Sequence, residues 1–423
     1  MCYNALDPER SPFHPPFGLT VMQIEHLSLT NFRNYARLEL SLPMNPVILH
    51  GDNAQGKTSL LEAIYYIATS QSPYTSSDRQ LIHWRTENDP IPFARLTADI
   101  RSAHAVLNRL ELTLLIDLST GLPRYKKVIK HNGVEKRVMD VVGILNVVLF
   151  LPRDLQLIEG APADRRRFMD TTLSQLDKDY LESVNEFDRI LPQRNALLKR
   201  IQMKQASADQ LFFWDTQLVQ AASKIIAGRQ GFLRELEVLA QSIHAELTGN
   251  QETLTLQYQP SFLPSASAAG QMSFDLLGLD LHREMPAADI ADQYQQQLEA
   301  NRKEEIERGL TISGPQRDEL RILLNNRDCG LYGSRGQART AVMALKLAEL
   351  EWMKQHKGEY PVLLLDEVVA ELDSKRRSFL LDHISDKAQT LMTTTELDIF
   401  TESFLQRAQV WHIHQGQIVQ SIE

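Results

Sequence analysis

Nine consecutive residues have the types and spacing needed to hold phosphate groups. They follow an apolar run, 47–49, and lead into a helical pattern; they are Gly51, Asp52, Asn53, Ala54, Gln55, Gly56, Lys57, Thr58 and Ser59. A strand that enters a helix through a glycine-rich turn directs backbone N–H groups and the positive end of the helix dipole toward one point. There Lys57 can reach the β- and γ-phosphates and the Thr58 hydroxyl can bind Mg²⁺. The pattern therefore predicts binding of ATP or GTP.

A pair of carboxylates far along the chain could complete such a site. Four apolar residues, 362–365, precede Asp366 and Glu367, as in a buried strand that ends in two acids. Asp366 would hold Mg²⁺ through water, and Glu367 would orient or deprotonate the water that attacks the γ-phosphate. The alternative is a buried strand followed by an ordinary acidic turn. The phosphate-binding pattern elsewhere in the chain favours the nucleotide interpretation.

The separation of the two motifs indicates a discontinuous domain. They lie about 310 residues apart in the sequence, yet both must contact one Mg–ATP. Between them, residues 164 to about 248 carry apolar positions three and four apart, which predicts three or four helices that fold back on one another. Pro192 should break or kink one of them because it lacks a backbone donor. The expected fold class is α/β: a P-loop ATPase head of the ABC and SMC-like plan, with a discontinuous mixed sheet and an inserted helical arm.

The chain divides accordingly into four ranges. Residues 1–21 hold four prolines and no amphipathic period, and we interpret them as a disordered extension or as a sign that translation starts at Met22. Residues 22–160 should form the N-terminal half of the head, and residues 161–305 the helical arm with its linker. Residues 306–423 should return to form the C-terminal half of the head.

Composition excludes several other classes of protein. The chain has 423 residues, 43% of them hydrophobic and 23% charged, which is typical of globular proteins. No apolar run approaches the ~18 residues needed to cross a bilayer, so no membrane association is expected. Cys2 and Cys329 lack the spacing of a zinc site or disulfide framework and suit a reducing cytoplasm. The net charge of −9 argues against a protein that coats polyanions non-specifically, but local basic patches can still bind nucleic acid.

Two further loops resemble parts of an ABC-type head. Residues 333–337 read Gly-Ser-Arg-Gly-Gln and resemble the signature loop, with Ser334, Gly336 and Gln337 as the residues that would bind a nucleotide. In this fold the signature loop contacts the nucleotide that is bound by a second subunit. Residues 370–373 resemble the D-loop, which places Asp373 at the subunit interface. A helix-capping turn is the alternative for the first loop; its position about 30 residues before the acid pair favours the signature loop.

From residue 22 to its C-terminus the chain resembles the RecF family, bacterial recombination-mediator ATPases related to SMC proteins. Five separated stretches carry the resemblance in the order of the family: LTNFRNY at 29–35, GDNAQGKT at 51–58, PRDLQLIEGAPADRRRFMD at 152–170, GPQRDEL at 314–320 and DEVVAELDSKR at 366–376. Some positions depart from the family pattern, including Arg153 in place of an acid and Gln316 in place of histidine.

The resemblance implies a function in recombinational repair at DNA gaps and stalled forks. ATP, bound with Mg²⁺, would drive formation of a homodimer that clamps double-stranded DNA or single-strand/double-strand junctions. The clamp would help RecO and RecR to load RecA, and weak DNA-stimulated hydrolysis of ATP would release it. Glu367 would then be the catalytic residue, and Ser334 would complete the site of the partner subunit. The implied location is the cytoplasm, in association with the nucleoid.

Two groups of basic residues are candidates for contact with DNA. One lies in a hairpin, residues 124–137, whose turn is Asn132-Gly133, and the other follows residue 164. The candidate contacts are Lys126, Lys127, Lys130, Arg165 and Arg166. Neutralising phosphates with such residues gives sequence-independent, salt-sensitive binding. The alternatives are lysines that protect an edge strand from pairing and arginines that form internal ion pairs.

Two other classes of protein share parts of this pattern. One is the ATPase subunit of a membrane transporter, which is disfavoured by the helical insertion and by threonines at 393–395 where transporters place a switch histidine. The other is a structural SMC-like linker, which is disfavoured because the arm is short and lacks sustained heptads.

Overall fold

The computed structural model describes residues 21–86, 89–102, 106–117, 124–262, 285–385 and 387–420. Residues 1–20 of the expected extension, 1–21, and most of the linker after the helical arm therefore lie outside the described residues. The chain divides into two compact units. The first comprises Met1–Pro152 and Met353–Glu423, and the second comprises Arg153–Trp352.

Strands and helices are numbered here in chain order. The strands are β1 (Gln23–Phe32), β2 (Tyr35–Ser41), β3 (Val47–His50), β4 (Phe93–Arg101), β5 (Leu107–Asp117), β6 (Arg124–His131), β7 (Val134–Lys136), β8 (Val147–Phe150), β9 (Leu254–Gln259), β10 (Glu319–Leu324), β11 (Arg327–Asp328), β12 (Val362–Asp366), β13 (Thr390–Thr394), β14 (Gln409–His414) and β15 (Gln417–Gln420). The helices are α1 (Lys57–Thr69), α2 (Val138–Val141), α3 (Gln156–Glu159), α4 (Pro162–Ser174), α5 (Lys178–Gln202), α6 (Leu211–Thr248), α7 (Ala287–Arg308), α8 (Cys329–Tyr332), α9 (Arg335–Lys357), α10 (Val368–Glu371), α11 (Ser374–Ile384) and α12 (Glu402–Arg407).

The first unit contains two six-stranded sheets. One is antiparallel throughout, in the order β2-β1-β4-β5-β6-β7. The other has the order β15-β14-β3-β13-β12-β8 and is parallel except for the β14–β15 pair. The second sheet is therefore mixed and is built from both ends of the chain, as the distance between the two nucleotide motifs predicts.

Helix α1 joins the two sheets through one hydrophobic core. Its buried residues Leu60, Ile64 and Ile67 lie three and four positions apart, and the helix contacts strands of both sheets. The core cluster includes Leu112 of the antiparallel sheet and Leu364 of the mixed sheet. Full burial of each such side chain contributes about 1.5–3 kcal/mol to stability. The helix that begins with the phosphate-binding lysine is thus fixed on two sides.

The predicted basic hairpin is confirmed as β6 and β7. Asn132 and Gly133 have φ of 50° and 79°, which suits a two-residue turn between twisted strands. His131 and Val134 face each other across this turn. The second strand is shorter than the sequence suggests, because Val138 begins helix α2.

Within the part of the chain that the structure describes, the second unit contains the helices α4, α5, α6 and α7, most of α9 and a small sheet. Helices α4, α5, α6 and α7 pack against one another, which confirms the helical arm. Helix α5 continues without a break through Pro192, because buried residues on either side, Ile190 and Leu197, hold it in the bundle. The sheet has the order β11-β10-β9 and is antiparallel. Among the described helices, none is long and apolar enough to cross a membrane.

The second unit extends beyond the range expected for the arm, 161–305. It begins at Arg153 and ends at Trp352. The segment after α7 still belongs to the second unit because β10 pairs with β9, with Leu320 opposite Tyr258. Such strand pairing between distant segments leaves no mark in the local sequence pattern. The return of the chain to the first unit therefore falls within α9 instead of near residue 306.

Candidate nucleotide-binding site

The phosphate loop connects β3 to α1 and depends on two glycines. Gly51 has φ of 151°, and a Cβ there would lie 2.4 Å from the carbonyl oxygen of Ile413. Gly56 precedes α1 with φ of 118°, and a Cβ there would lie 2.5 Å from Nδ2 of Asn34. Ala54 also has a positive φ, 64°. These positions allow a tight turn in which the backbone approaches a ligand closely.

Neighbouring chain segments hold the loop in this conformation. The side-chain amide of Asn34 and the backbone N–H of Gly416 both donate to the carbonyl oxygen of Gln55, at 3.0 and 2.9 Å. The phenol of Tyr35 donates to the carbonyl oxygen of Gly56 at 3.0 Å. These contacts come from the β1–β2 and β14–β15 turns. The loop is therefore organised before any ligand binds.

The ammonium group of Lys57 lies inside the curve of the loop. It donates to the carbonyl oxygens of Gly51 and Asp52 at 2.6 and 3.1 Å, and its side chain is only 3% exposed. Glu367 Oε1 lies 3.5 Å away. A buried cation held by neutral carbonyls is poised to exchange them for anionic oxygens, which form stronger charge-assisted hydrogen bonds.

Asp366 lies at the end of β12 and accepts hydrogen bonds on both carboxylate oxygens. Thr58 and Thr393 donate to Oδ1 at 2.9 and 2.7 Å. Tyr74 donates to Oδ2 at 2.5 Å. The bond to Thr58 spans 308 residues of sequence. It arises because β12 and β13 are parallel neighbours whose C-terminal ends meet beside the start of α1.

Glu367 differs from its neighbour in conformation and exposure. Its φ is 56°, in the left-handed region, and its backbone N–H donates to Thr393 Oγ1 at 2.8 Å. Its side chain is 41% exposed, whereas Asp366 is 5% exposed. Strained backbone of this kind persists where the surroundings enforce it and is common at functional sites. One acid is thus fixed and buried, while the other reaches into the cleft.

The loop and Glu367 line a cleft of about 360 Å³. The β1–β2 turn and the segment after α1 also line this cleft, through Arg33, Asn34, Gln80, Ile82 and Trp84. Arg33 is fixed by two hydrogen bonds of 2.7 Å to the buried carboxylate of Glu62 on α1. The cleft therefore combines the phosphate loop with an exposed aromatic ring.

The groups that converge here fit a nucleotide with Mg²⁺. Thr58 and Asp366 provide hydroxyl and carboxylate oxygens, which are the ligands that Mg²⁺ prefers. The loop provides backbone N–H groups and Lys57 provides a cation. Within the described residues no cluster of histidine, cysteine and acidic side chains offers a separate metal site.

The other loops named from the sequence have defined local structures. Ser334 and Gln337 form reciprocal hydrogen bonds, since the N–H of Ser334 donates to Gln337 Oε1 at 2.8 Å and the N–H of Gln337 donates to Ser334 Oγ at 3.2 Å. This is a capping box at the start of α9. Gln337 also donates to Glu252 at 2.7 Å. Ser334 is exposed and Gly336 half-buried, so capping leaves the serine accessible.

Asp373 also caps a helix. It accepts a hydrogen bond of 3.0 Å from the N–H of Arg376 at the start of α11. That backbone hydrogen bond holds the pKa of Asp373 below its usual range. Its side chain remains 50% exposed. The acid is therefore both ordered and accessible.

The basic residues separate into exposed and internally paired groups. Side chains alternate between the two faces of β6, so Lys127 lies on the same face as buried Ile129. There it donates a hydrogen bond to the carbonyl oxygen of Ser70 and forms an ion pair with Asp78, both at 2.9 Å. Lys126 is exposed, and Lys130 lies 3.7 Å from Glu111 at the surface. Sequence alternation alone could have separated Lys127 from the other two lysines.

Arg165 and Arg166 also make internal contacts. Arg165 is buried and forms two hydrogen bonds to Glu319, at 2.7 and 2.9 Å. Arg166 donates to the carbonyl oxygen of Asp318 at 2.8 Å, and burial lowers its pKa. Arg165 thus has the structural role that was the alternative to DNA contact, an internal ion pair. Lys127 is also engaged, in an ion pair with Asp78, and not in protection of an edge strand.

Sequence reasoning did not identify Tyr74 and Trp84 as residues of this site, and it named Thr393 only at the position of the transporter switch histidine. Thr393 lies on a neighbouring strand, and Tyr74 and Trp84 lie in the irregular segment after α1. Only Thr393 carried a usable signal, because it ends an apolar strand that could pair beside Asp366. Nothing in the local pattern brings Tyr74 to a residue 292 positions away.

The fold and this site define the class of protein. The sequence matches the family described as RecF/RecN/SMC N terminal domain over residues 23–418. A solved Smc head domain with an extended coiled coil, bound to the C-terminal domain of ScpA and derived from Pyrococcus furiosus, matches with a TM-score of 0.51 and 14% identity. That match covers 95% of this chain and 96% of the other. The predicted ABC-type, SMC-like head is therefore confirmed as the fold.

Closer relatives specify the family. Proteins named DNA replication and repair protein RecF are 38% identical over 400 residues in Staphylococcus carnosus and 39% identical over 407 residues in Chloroflexus aggregans. Each match covers 94% of this chain and 99–100% of the relative. The chain belongs to the RecF family, as its sequence motifs suggested.

Solved structures agree with this assignment. The recombination mediator protein RecF in the RecFOR pathway, with ATPrS and with ATP, matches with TM-scores of 0.82 and 0.80 and identities of 26% and 27%. These matches cover 96% and 97% of this chain and all of each RecF chain.

Proposed function

We propose that the chain is an ATP-dependent DNA-binding protein of recombinational repair. The observation that carries the proposal is the 2.9 Å hydrogen bond between Thr58 and Asp366, which joins the phosphate loop to the acid pair. The same cleft holds Lys57 and Glu367. The relatives named for DNA replication and repair, and the RecF structures with ATP and ATPrS, support ATP as the ligand and repair as the function.

Each polar group of the cleft has a role in binding and hydrolysis of ATP. Lys57 exchanges the carbonyls of Gly51 and Asp52 for oxygens of the β- and γ-phosphates. Thr58 and Asp366 would hold Mg²⁺, which would supply a Lewis acid that neutralises charge on the phosphates. Glu367, the exposed acid, orients the attacking water and accepts its proton. The two carboxylates are thus divided between metal binding and catalysis.

A second copy of the chain would complete the site. Ser334, Gly336 and Gln337 would donate to the γ-phosphate held by the partner, and Asp373 would lie at the seam. The accessibility of Ser334 and Asp373 within otherwise ordered caps supports this role. ATP would then join two subunits because each nucleotide is contacted by both.

DNA binding is assigned to the exposed face of the β6–β7 hairpin. Lys126 and Lys130 lie on this face, together with exposed Arg124. Contact with phosphates by these residues would be independent of sequence and sensitive to salt. Arg166 remains a weaker candidate, because its guanidinium already donates to Asp318. The ligands would be double-stranded DNA and single-strand/double-strand junctions.

The same proposal includes the partners and the location. RecF structures from the RecFOR pathway support RecO and RecR as partners, with loading of RecA on single-stranded DNA as the outcome. Weak ATP hydrolysis, stimulated by DNA, would release the clamp. The protein would act in the cytoplasm, at the nucleoid.

Solution mass with ATP, with ADP and without nucleotide tests the central step. We expect a dimer with ATP and a monomer in the other two conditions, and we expect duplex DNA to strengthen the dimer. Full ATP turnover by a protein that stays monomeric would contradict the proposal. ATPase rates separate the alternatives, since stimulation by DNA supports the clamp. Turnover that requires membrane partners would indicate a transporter subunit, and a lack of turnover would indicate a structural linker.

A further inference from the structure

We propose that Trp84 is the platform on which the base of the bound nucleotide stacks, so that the site selects purine nucleoside triphosphates. The proposal rests on the proposed function, in which the phosphates occupy the loop. It adds the residue that distinguishes a nucleotide from phosphate alone. No residue named from the sequence has this role.

Trp84 differs from the other tryptophans in its exposure. The chain has four, and all lie within the described residues. Trp352 and Trp411 are each 4% exposed and Trp214 is half-buried, whereas Trp84 is 64% exposed. Leaving so large an aromatic surface in water forfeits the stabilisation that its burial would bring. An exposed tryptophan in the wall of a binding cleft is explained by a ligand that covers it.

The cleft is continuous from the ring to the phosphate loop. The same cavity is lined by the apolar side chains of Trp84 and Ile82, by polar Gln80 and Asn34, and by Lys57. A nucleoside triphosphate combines matching properties: a flat apolar base, a polar sugar and an anionic chain. Phosphates held at Lys57 therefore leave the base to contact the wall that carries the indole.

The turn that carries Trp84 is held in place by its neighbours. The N–H of His83 donates to the carbonyl oxygen of Asn31 at 2.8 Å, and Thr86 Oγ1 donates to the carbonyl oxygen of His83 at 2.8 Å. The N–H of Arg85 donates to His83 Nδ1 at 3.0 Å. Ile82 forms a β-bridge with Phe32 on the first sheet. A platform fixed in this way loses little conformational entropy when a base stacks on it.

Two side chains contact the indole itself. The Arg85 guanidinium carbon lies 5.2 Å from the ring centroid, and the His83 ring lies 5.5 Å away and is tilted by 32°. They restrain the ring while most of its surface stays open. Purines offer more stacking area than pyrimidines, so the ring favours purines. Stacking uses only the π-face of the base, so it does not distinguish adenine from guanine.

Calorimetric titrations with Mg²⁺ present test the proposal on the full chain. The ligands are ATP, GTP, CTP and inorganic triphosphate, and the variants are Trp84→Ala and Trp84→Phe. Loss of one base stack should weaken ATP and GTP binding to Trp84→Ala on the order of tenfold. Triphosphate affinity should stay within about twofold, because the loop is unchanged. Trp84→Phe should recover most of the loss, since phenylalanine keeps a π-face.

Phe213→Ala is the matched control. Phe213 is also a largely exposed aromatic, at 59%, but it lies on α6 in the second unit and does not line the cleft. Its removal should leave all four affinities unchanged. ATP should also quench tryptophan fluorescence in the wild type and in Phe213→Ala, and quench it much less in Trp84→Phe.

The outcomes separate this proposal from the one on which it rests. If wild type and Trp84→Ala bind ATP equally, or if triphosphate affinity falls as far as ATP affinity, stacking on Trp84 is wrong while the nucleotide site stands. If CTP binds the wild type as tightly as ATP, the purine preference is wrong. If the wild type binds neither ATP nor triphosphate, the proposed function fails as well.

Discussion

The phenol of Tyr74 donates a 2.5 Å hydrogen bond to Oδ2 of Asp366, the acid assigned to Mg²⁺. Oδ1 already accepts hydrogen bonds from Thr58 and Thr393. Because the phenol competes with Mg²⁺-bound water for Oδ2, Tyr74→Phe should lower the Mg²⁺ concentration needed for half-maximal ATP binding. A competing hydrogen bond worth about 0.5–1 kcal/mol corresponds to about two- to fivefold. A Mg²⁺ titration of ATP binding measures the effect.

Tyr125→Phe is the control for this prediction. It removes another phenol–carboxylate hydrogen bond, of 2.8 Å to Asp78, at a carboxylate that binds no metal in the proposed site. Its Mg²⁺ requirement should equal that of the wild type. A higher Mg²⁺ requirement in Tyr74→Phe would show that the phenol orients Asp366 for the metal instead of competing with it.

Lys57→Ala should abolish ATP-induced dimers. The ammonium is the buried cation of the phosphate loop, and loss of its charge-assisted hydrogen bonds should weaken ATP binding on the order of 100-fold. Equilibrium binding and solution mass measure the two effects. Lys126→Ala, which removes an exposed lysine from the hairpin, should leave both unchanged. ATP-dependent dimers of Lys57→Ala would argue against the assigned site.

Glu367→Gln should bind ATP and accumulate dimers that fail to dissociate. The amide cannot accept the proton of the attacking water, so single-turnover hydrolysis should slow by about 10²–10⁴-fold. Glu182→Gln, which changes an exposed acid on α5 in the second unit, should hydrolyse ATP at the wild-type rate. Normal hydrolysis by Glu367→Gln would remove that residue from its catalytic role.

Arg194→Ala should strongly destabilise the helical unit. Arg194 is fully buried and forms 2.7 Å ion pairs with Asp215 and Glu305, which are also fully buried. Its removal takes the buried cation away from Glu305 and leaves Asp215 paired only with Arg302, at 3.1 Å among the described contacts. It should cost about 3–5 kcal/mol of unfolding free energy. Arg189→Ala, in which the lost side chain is 73% exposed, should cost less than about 0.5 kcal/mol. Urea unfolding followed by helix content compares them.

The His83 turn should lose stability in acid. Burial and the charge of Arg85 lower the pKa of His83 below its ordinary value. The unfolded chain therefore takes up this proton first, so the stabilisation is complete above pH ~6.5 and declines as the pH falls toward the folded-state pKa. His83→Asn keeps an acceptor for the N–H of Arg85 and cannot titrate. Thermal unfolding between about pH 7.5 and about pH 5.5 should shift more in the wild type than in this variant; equal shifts would exclude His83 as the cause.

Local sequence predicted the elements that carry the site. The glycines at 51 and 56 predicted the loop because only glycine fits the positive φ and the close contacts found there. The apolar run before Asp366 predicted a buried strand, and the distance between the two motifs predicted a discontinuous sheet. Apolar spacing of three and four predicted the helical arm. These inferences hold because they depend on short-range sterics and periodicity.

Charge alone did not predict the fate of individual basic residues. Lys126 and Lys127 are adjacent in the sequence, yet Lys127 pairs with Asp78 whereas Lys126 is exposed. Arg165 pairs with Glu319, which lies 154 residues away. Their environments depend on which distant strand or helix lies beside them, and residue type does not encode that.

The sequence by itself determined that this chain has a phosphate loop, an acid pair and a helical insertion, since each is written in a local pattern of residue types. Only the tertiary structure decided which side chains complete the cleft. Tyr74 and Thr393 donate to Asp366, and Trp84 lines the same cleft as the loop, because strands and turns far apart in sequence pack around one core. Contacts of that kind depend on many small contributions from apolar burial and packing, summed over the whole unit. No short stretch of sequence contains that sum.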